Sequence, residues 1–157
     1  MKELSALVLC TGILFLAIYF TEHLLPKMGG SLTEKFENRG KNVLGKPMTP
    51  CCDIPGKVTG YYRDGYCSTG PTDTGTHVVC AVVNDEFLQF TKRMGNDLST
   101  PHLPSFPGLV AGDRWCLCAL RWMEAYRAGK APKILTESTN EIAFQFIPKD
   151  VLFSNVL

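Results

Sequence analysis

The chain has 157 residues, a net charge of +1 at neutral pH, and 45% hydrophobic against 20% charged residues. With an apolar N-terminal segment set aside, that length suits one hydrophobic core and is too short for two. Lys and Arg are scattered and nearly balanced by Asp and Glu, which excludes nucleic acid as a partner, and the apolar content excludes a disordered chain.

Residues 4–20 carry no charge, and Leu24 and Leu25 extend the apolar run past Glu22 and His23. Lys2 precedes it and no small-x-small cleavage site follows, so the run reads as a single transmembrane helix engaging the membrane through residues 4–25 rather than a removed leader. The bulky Leu9 before Cys10 argues against a lipoprotein. Lys27, Lys35, Arg39 and Lys41 follow the run while Lys2 precedes it, a bias that places the domain on the cytoplasmic side of an inner membrane. Translation from Met28 would instead give a soluble cytoplasmic chain. The expected organisation is an anchor at 1–27, a tether at 28–41 and a cysteine-rich globular domain at 42–157.

Pro50, Cys51, Cys52, Pro55 and Gly56 break up residues 48–60. Asp64-Gly65 between aromatic flanks then signals a hairpin over 58–67, with Tyr62 facing Cys67. A turn-rich loop, 68–76, delivers the chain into the valine-rich run 77–83, which predicts a strand buried on both faces. Alternation on that strand would put His77 and Cys80 on opposite faces. Asn84 caps a predicted helix at 85–94, acidic in its first turn, basic in its last and closed by Gly95, with Phe87, Phe90, Thr91 and Met94 facing inward. Residues 96–112 hold three prolines and two glycines, a long irregular loop of the kind that serves as a lid or binding segment.

The run 111–129 organises the rest. Trp115, Cys118, Ala119, Trp122, Met123 and Tyr126 form an amphipathic stripe, Asp113 stands at a cap position and Gly129 follows, so a helix is predicted over 114–128. The rival reading is a strand at 115–118 leading into a shorter helix. A strand at 133–136 and a short helix over 138–147, opened by a Ser138/Glu141 capping box and stopped by Pro148, complete the chain. The fold class is α+β: a small, loop-rich sheet packed against two or three helices and preceded by the transmembrane helix.

From residue 42 onward the chain resembles a family of uncharacterised bacterial proteins, domain-of-unknown-function family 2237. The segments that carry the resemblance are Asn42-Val43-Leu44-Gly45, Arg63-Asp64-Gly65, Cys67 with Thr69-Gly70-Pro71, His77 with Cys80-Ala81, Gly95-Asn96-Asp97-Leu98-Ser99-Thr100-Pro101, Phe106-Pro107-Gly108-Leu109 and Gly112-Asp113-Arg114-Trp115-Cys116-Leu117-Cys118. The resemblance implies no activity. This chain departs from the family pattern in its N-terminal span, and in Tyr66, where the family often has a second cysteine.

Cys10 lies in the apolar run, so six of the seven cysteines belong to the domain, an even number suited to disulfides or to thiols and a metal. If Asp113 caps the helix, Cys116 falls in its first turn, where unpaired amides and Arg114 favour a thiolate; the competing reading is a buried cysteine packed beside Trp115. Cys67, Cys80, Cys116 and Cys118 are the candidate metal ligands, although none of their spacings is that of a zinc knuckle. Arg63, Asp97, His102 and Arg114 are the candidate ligand-binding residues. The leading expectation is a small-ligand or metal-binding domain with a thiol-lined pocket near the N-terminus of the central helix. The alternatives are a thiol-dependent enzyme using Cys116 and a structural domain with core or disulfide cysteines. No particular cofactor is indicated.

Overall fold

A computed structural model describes residues 39–157. The predicted span at 4–25 and most of the tether lie outside them. No helix among the described residues is long and apolar enough to cross a membrane.

Three antiparallel strands form the sheet. β1 (Val79–Val82) is central, β2 (Arg114–Leu117) pairs with one edge and β3 (Lys133–Ile134) with the other. The β1–β2 register sets Val79 opposite Leu117, Cys80 opposite Cys116 and Ala81 opposite Trp115. Strand alternation then sorts these residues into two cores. Val79, Ala81, Trp115 and Leu117 face the main hydrophobic core, while Cys80 and Cys116 face a smaller cluster with Met48, Cys51, Tyr66, Cys67 and Leu135. The valine-rich run is thus buried on both faces, as its composition predicts.

The main core is closed by α1 (Asp85–Arg93) and α2 (Ala119–Arg127), with Phe87 and Trp122 fully buried. In α1 the Asn84 side chain accepts from the Phe87 amide at 2.8 Å, Asp85 and Glu86 lie in the first turn and Lys92 and Arg93 in the last. Phe87 and Thr91 point inward as expected; Met94, past the last turn, is exposed, and Leu88 is buried instead. Trp122 donates its indole N–H to the Pro132 carbonyl at 3.1 Å, so its one polar atom is satisfied inside.

Three predictions are corrected. The helix over 114–128 is a strand followed by a helix from Ala119, the rival reading. Asp113 does not cap it: its carboxylate accepts from the Val110 amide at 2.9 Å and Lys57 at 2.6 Å, closing a turn whose backbone continues the β1–β2 ladder through Val83. Pairing with β1 overrides the helical pattern of the first four residues, and Ala119, Trp122 and Ala125 carry the buried stripe. The hairpin over 58–67 has no ladder. Left-handed backbone falls on Arg63 (φ 54°) and Gly65 (φ 86°) rather than on two adjacent residues, and the Gly65 carbonyl is taken by the Cys51 and Cys52 amides. The helix over 138–147 is two 3-10 turns, Thr136–Ser138 and Glu141–Gln145. The Asn140 side chain caps the second, because the Ser138 hydroxyl is occupied by Thr49 and the Pro50 carbonyl. A short α3 (Lys149–Phe153) follows Pro148, and residues 155–157 return along β3.

Candidate functional site

Three irregular segments meet beside Trp115 and Cys116 of β2. The turn at 60–63 brings Tyr61 and Arg63, the residue pair before β1 brings His77, and the long loop brings Asp97, His102 and Phe106; Trp115 forms the wall behind them. They enclose a cleft of about 500 Å³, in the range of small-metabolite sites. Phe106 meets Trp115 edge-on at 5.5 Å, Tyr61 stacks with His77 at 6.2 Å, and the Arg63 guanidinium lies 5.0 Å over the Trp115 ring. Aromatic rings thus stand among the polar groups of Arg63, His77, Asp97, His102 and Ser105.

The polar groups differ in how far they are already committed. Asp97 accepts from the Ser99 amide and hydroxyl, from Thr100 and from Lys92 at 2.9 Å. Lys92 foremost, then the Thr100 and Ser99 hydroxyls, hold its carboxyl far below the usual carboxylate range. This is a carboxylate employed in shaping the loop. Arg63 has no carboxylate partner among the described residues, and it holds a left-handed conformation that a side-chain-bearing residue adopts at a cost of about 1–2 kcal/mol.

His77 is oriented by Asp73. The fully buried Asp73 carboxylate contacts the imidazole Nδ1 at 2.6 Å and accepts from the His77 amide at 2.8 Å and the Thr69 hydroxyl at 3.0 Å. Burial pushes its carboxyl up, but these donors together outweigh burial and hold it below its ordinary value. An ionised carboxylate only accepts, so Nδ1 carries the proton and a neutral imidazole offers Nε2 as an acceptor.

Of the residues expected to bind a ligand, Arg63, Asp97 and His102 share this cleft. Arg114 does not: it lines a separate cleft with Cys52, Lys57 and Asp113. Tyr61 and Trp115 were not anticipated as cleft walls. Nor was the Asp73–His77 pair, whose signal, an acid four residues before a histidine, is buried in a loop that reads as turn chemistry.

The cysteines are arranged differently from the expectation. Cys51 bridges Cys80 and Cys67 bridges Cys116, with Cα separations of 5.7 and 5.2 Å. Cys116 lies in mid-strand, 2% exposed, and its sulfur is bonded, so the helical position that would favour its thiolate does not exist. Cys67, Cys80 and Cys116 do share one buried cluster, completed by Cys51. Cys118 is outside it, a half-buried free thiol at the N-cap of α2, and Cys52 is the other free thiol among the described residues. The bridges favour the reading of structural, disulfide cysteines over a thiol-lined pocket. A family model for an uncharacterised protein conserved in bacteria (DUF2237) matches residues 41–155. No curated protein matches the chain.

Proposed function

From the premise that the chain belongs to the DUF2237 family of uncharacterised bacterial proteins, which carries no activity to transfer, we propose that the domain is a disulfide-stapled binding module. Its cleft takes a small organic anion with a flat, unsaturated body. The observation that carries this reading is Arg63, a cation with no carboxylate partner among the described residues, held over Trp115 at the mouth of an aromatic cleft. A carboxylate would complete a forked ion pair there, and the aromatic walls would bury the rest of the ligand. His77 and His102 add hydrogen-bonding capacity, and Asp97 opposes an anion weakly because Lys92 already neutralises it. No reaction is assigned.

Benzoate and inorganic phosphate, titrated separately against the full chain and followed by amide and indole NMR shifts, test it. Benzoate should produce saturable displacements at the Trp115 indole and at Gly60 that disappear in Arg63→Met, while phosphate alone binds more weakly. Absence of saturable shifts, or identical shifts in the variant, refutes it and leaves the bridged domain as a structural one.

A further inference from the structure

We propose that Cys51, Cys67, Cys80 and Cys116 form a metal site as well as two bridges: when both disulfides are reduced, the four sulfurs hold one soft divalent ion of the zinc class. The site does not depend on the cleft's ligand, although Cys116 also lines the cleft.

The sheet supplies what a two-residue spacing supplies in a zinc knuckle. Cys80 and Cys116 face each other across β1 and β2, and neither amide is spent on the other strand: that of Cys80 donates to the Thr139 hydroxyl at 3.1 Å and that of Cys116 to the Thr59 hydroxyl at 2.8 Å. Opposed residues without mutual backbone hydrogen bonds are those whose side chains stand closest in an antiparallel pair. Cys51 and Cys67 enter from the loops above. The Gly65 carbonyl, two residues before Cys67, accepts from the Cys51 amide at 2.8 Å and locks the two loops together.

The Sγ atoms of Cys51, Cys67 and Cys80 all lie within 4.8 Å of one another, and that of Cys116 is bonded to the sulfur of Cys67. A tetrahedral ion with Zn–S bonds of about 2.3 Å sets its sulfurs about 3.8 Å apart. Opening the Cys51–Cys80 bridge would let three of the sulfurs reach that spacing by side-chain rotation, and the Cys116 sulfur, released from Cys67, would swing in to complete the set. All four cysteines are at most 2% exposed and packed by Met48, Tyr66 and Leu135, a water-excluding shell suited to a closed structural site. Arg39, 3.7 Å over the Tyr66 ring and ion-paired with Asp64 at 3.5 Å, lies at the edge of the cluster. Cys118 belongs to the helix N-cap rather than to this set.

The conversion balances. Each bridge takes two electrons and two protons from a dithiol reductant, which leaves as its own disulfide. Binding the ion then releases the four thiol protons.

The full chain, reduced with excess dithiothreitol and freed of it without air, would be titrated with Co²⁺ and then Zn²⁺. Expected are the thiolate charge-transfer and tetrahedral d–d bands of cobalt, saturating at one ion per chain and erased by Zn²⁺. They should persist in the Cys52→Ser, Cys118→Ser double variant and be lost in Cys80→Ser. Near-ultraviolet circular dichroism of Trp115 and Trp122 monitors the fold. Bands that are absent, that persist in Cys80→Ser or that vanish with Cys52 and Cys118 overturn the proposal. So does a reduced chain that unfolds and is not refolded by Zn²⁺.

Discussion

Replacing Asp73 tests the reading of the loop before β1. Among the described residues its carboxylate meets three donors: the His77 amide, the Thr69 hydroxyl and the His77 ring. Between these anchors Thr76, a β-branched residue, is held left-handed at φ 49°. In Asp73→Ala the charge-assisted bonds go, and at least one buried N–H is left without an acceptor, for a loss of about 3 kcal/mol. Asp73→Asn keeps an oxygen for the amide and Thr69 but turns an NH₂ toward Nδ1. The imidazole answers by moving its proton to Nε2, and the loss falls to about 1 kcal/mol. Urea unfolding reads the difference: with a slope near 2 kcal/mol per molar, the midpoint drops by about 1.5 M in the alanine variant and about 0.5 M in the asparagine one. Imidazole ¹⁵N shifts should report the exchanged tautomer in the second. Because the Asp73 carboxyl titrates below its ordinary 3.8 when folded, its contribution is complete above that value and is lost as pH falls through the depressed one. The gap between wild type and Asp73→Asn should therefore close on acidification below about pH 4. An alanine variant as stable as the asparagine one, or a gap that widens in acid, refutes the reasoning.

Three other changes probe the frame. Removing a bridge frees a loop of sequence separation 29 for Cys51–Cys80 or 49 for Cys67–Cys116, which in the chain-entropy treatment costs about 3.6 and about 4 kcal/mol. Urea midpoints of the paired Cys→Ala variants measure this, and losses below about 1 kcal/mol would contradict it. Gly60→Ala should destabilise by about 3 kcal/mol, since a Cβ at φ 93° would overlap the Tyr66 carbonyl oxygen, whereas Gly45→Ala at φ 74° faces open space and should cost about 1 kcal/mol; thermal melts rank the two. Arg63→Gly relieves a left-handed backbone and forfeits a cation–π contact, so folding stability should change by less than about 1 kcal/mol while the benzoate response is lost; a variant that fails to fold would show that Arg63 is mainly structural.

What could be read from the residues was what local chemistry decides. The Asn84 cap, the acidic and basic ends of α1 and the unbroken valines of β1 each specify their element within a few positions. β2 was hidden because its partner strand is distant in sequence, while Asp113 and the Trp115–Tyr126 stripe mimic a helix start locally; only the ladder with Val79–Val82 decides the matter. Arg63, Asp97 and His102 were identifiable as loop-borne polar groups, and the fold gathers them. Arg114, one residue before Trp115, lines the neighbouring cleft with Cys52, Lys57 and Asp113 instead. The bridging partners of Cys51 and Cys67 depend on how two irregular loops settle against the sheet, which no spacing encodes.

The turn that presents Tyr61 and Arg63 is fastened at both ends: Thr59 to the Cys116 amide, and Cys67 to the Cys116 sulfur. The opposite lip of the cleft, around His102, has no such covalent tie among the described residues. Sulfur chemistry in the small cluster and occupancy of the cleft, which Cys116 also lines, are therefore linked thermodynamically: whatever opens Cys67–Cys116 loosens one jaw of the cleft, and whatever fills the cleft protects that bond from reduction by the same free energy.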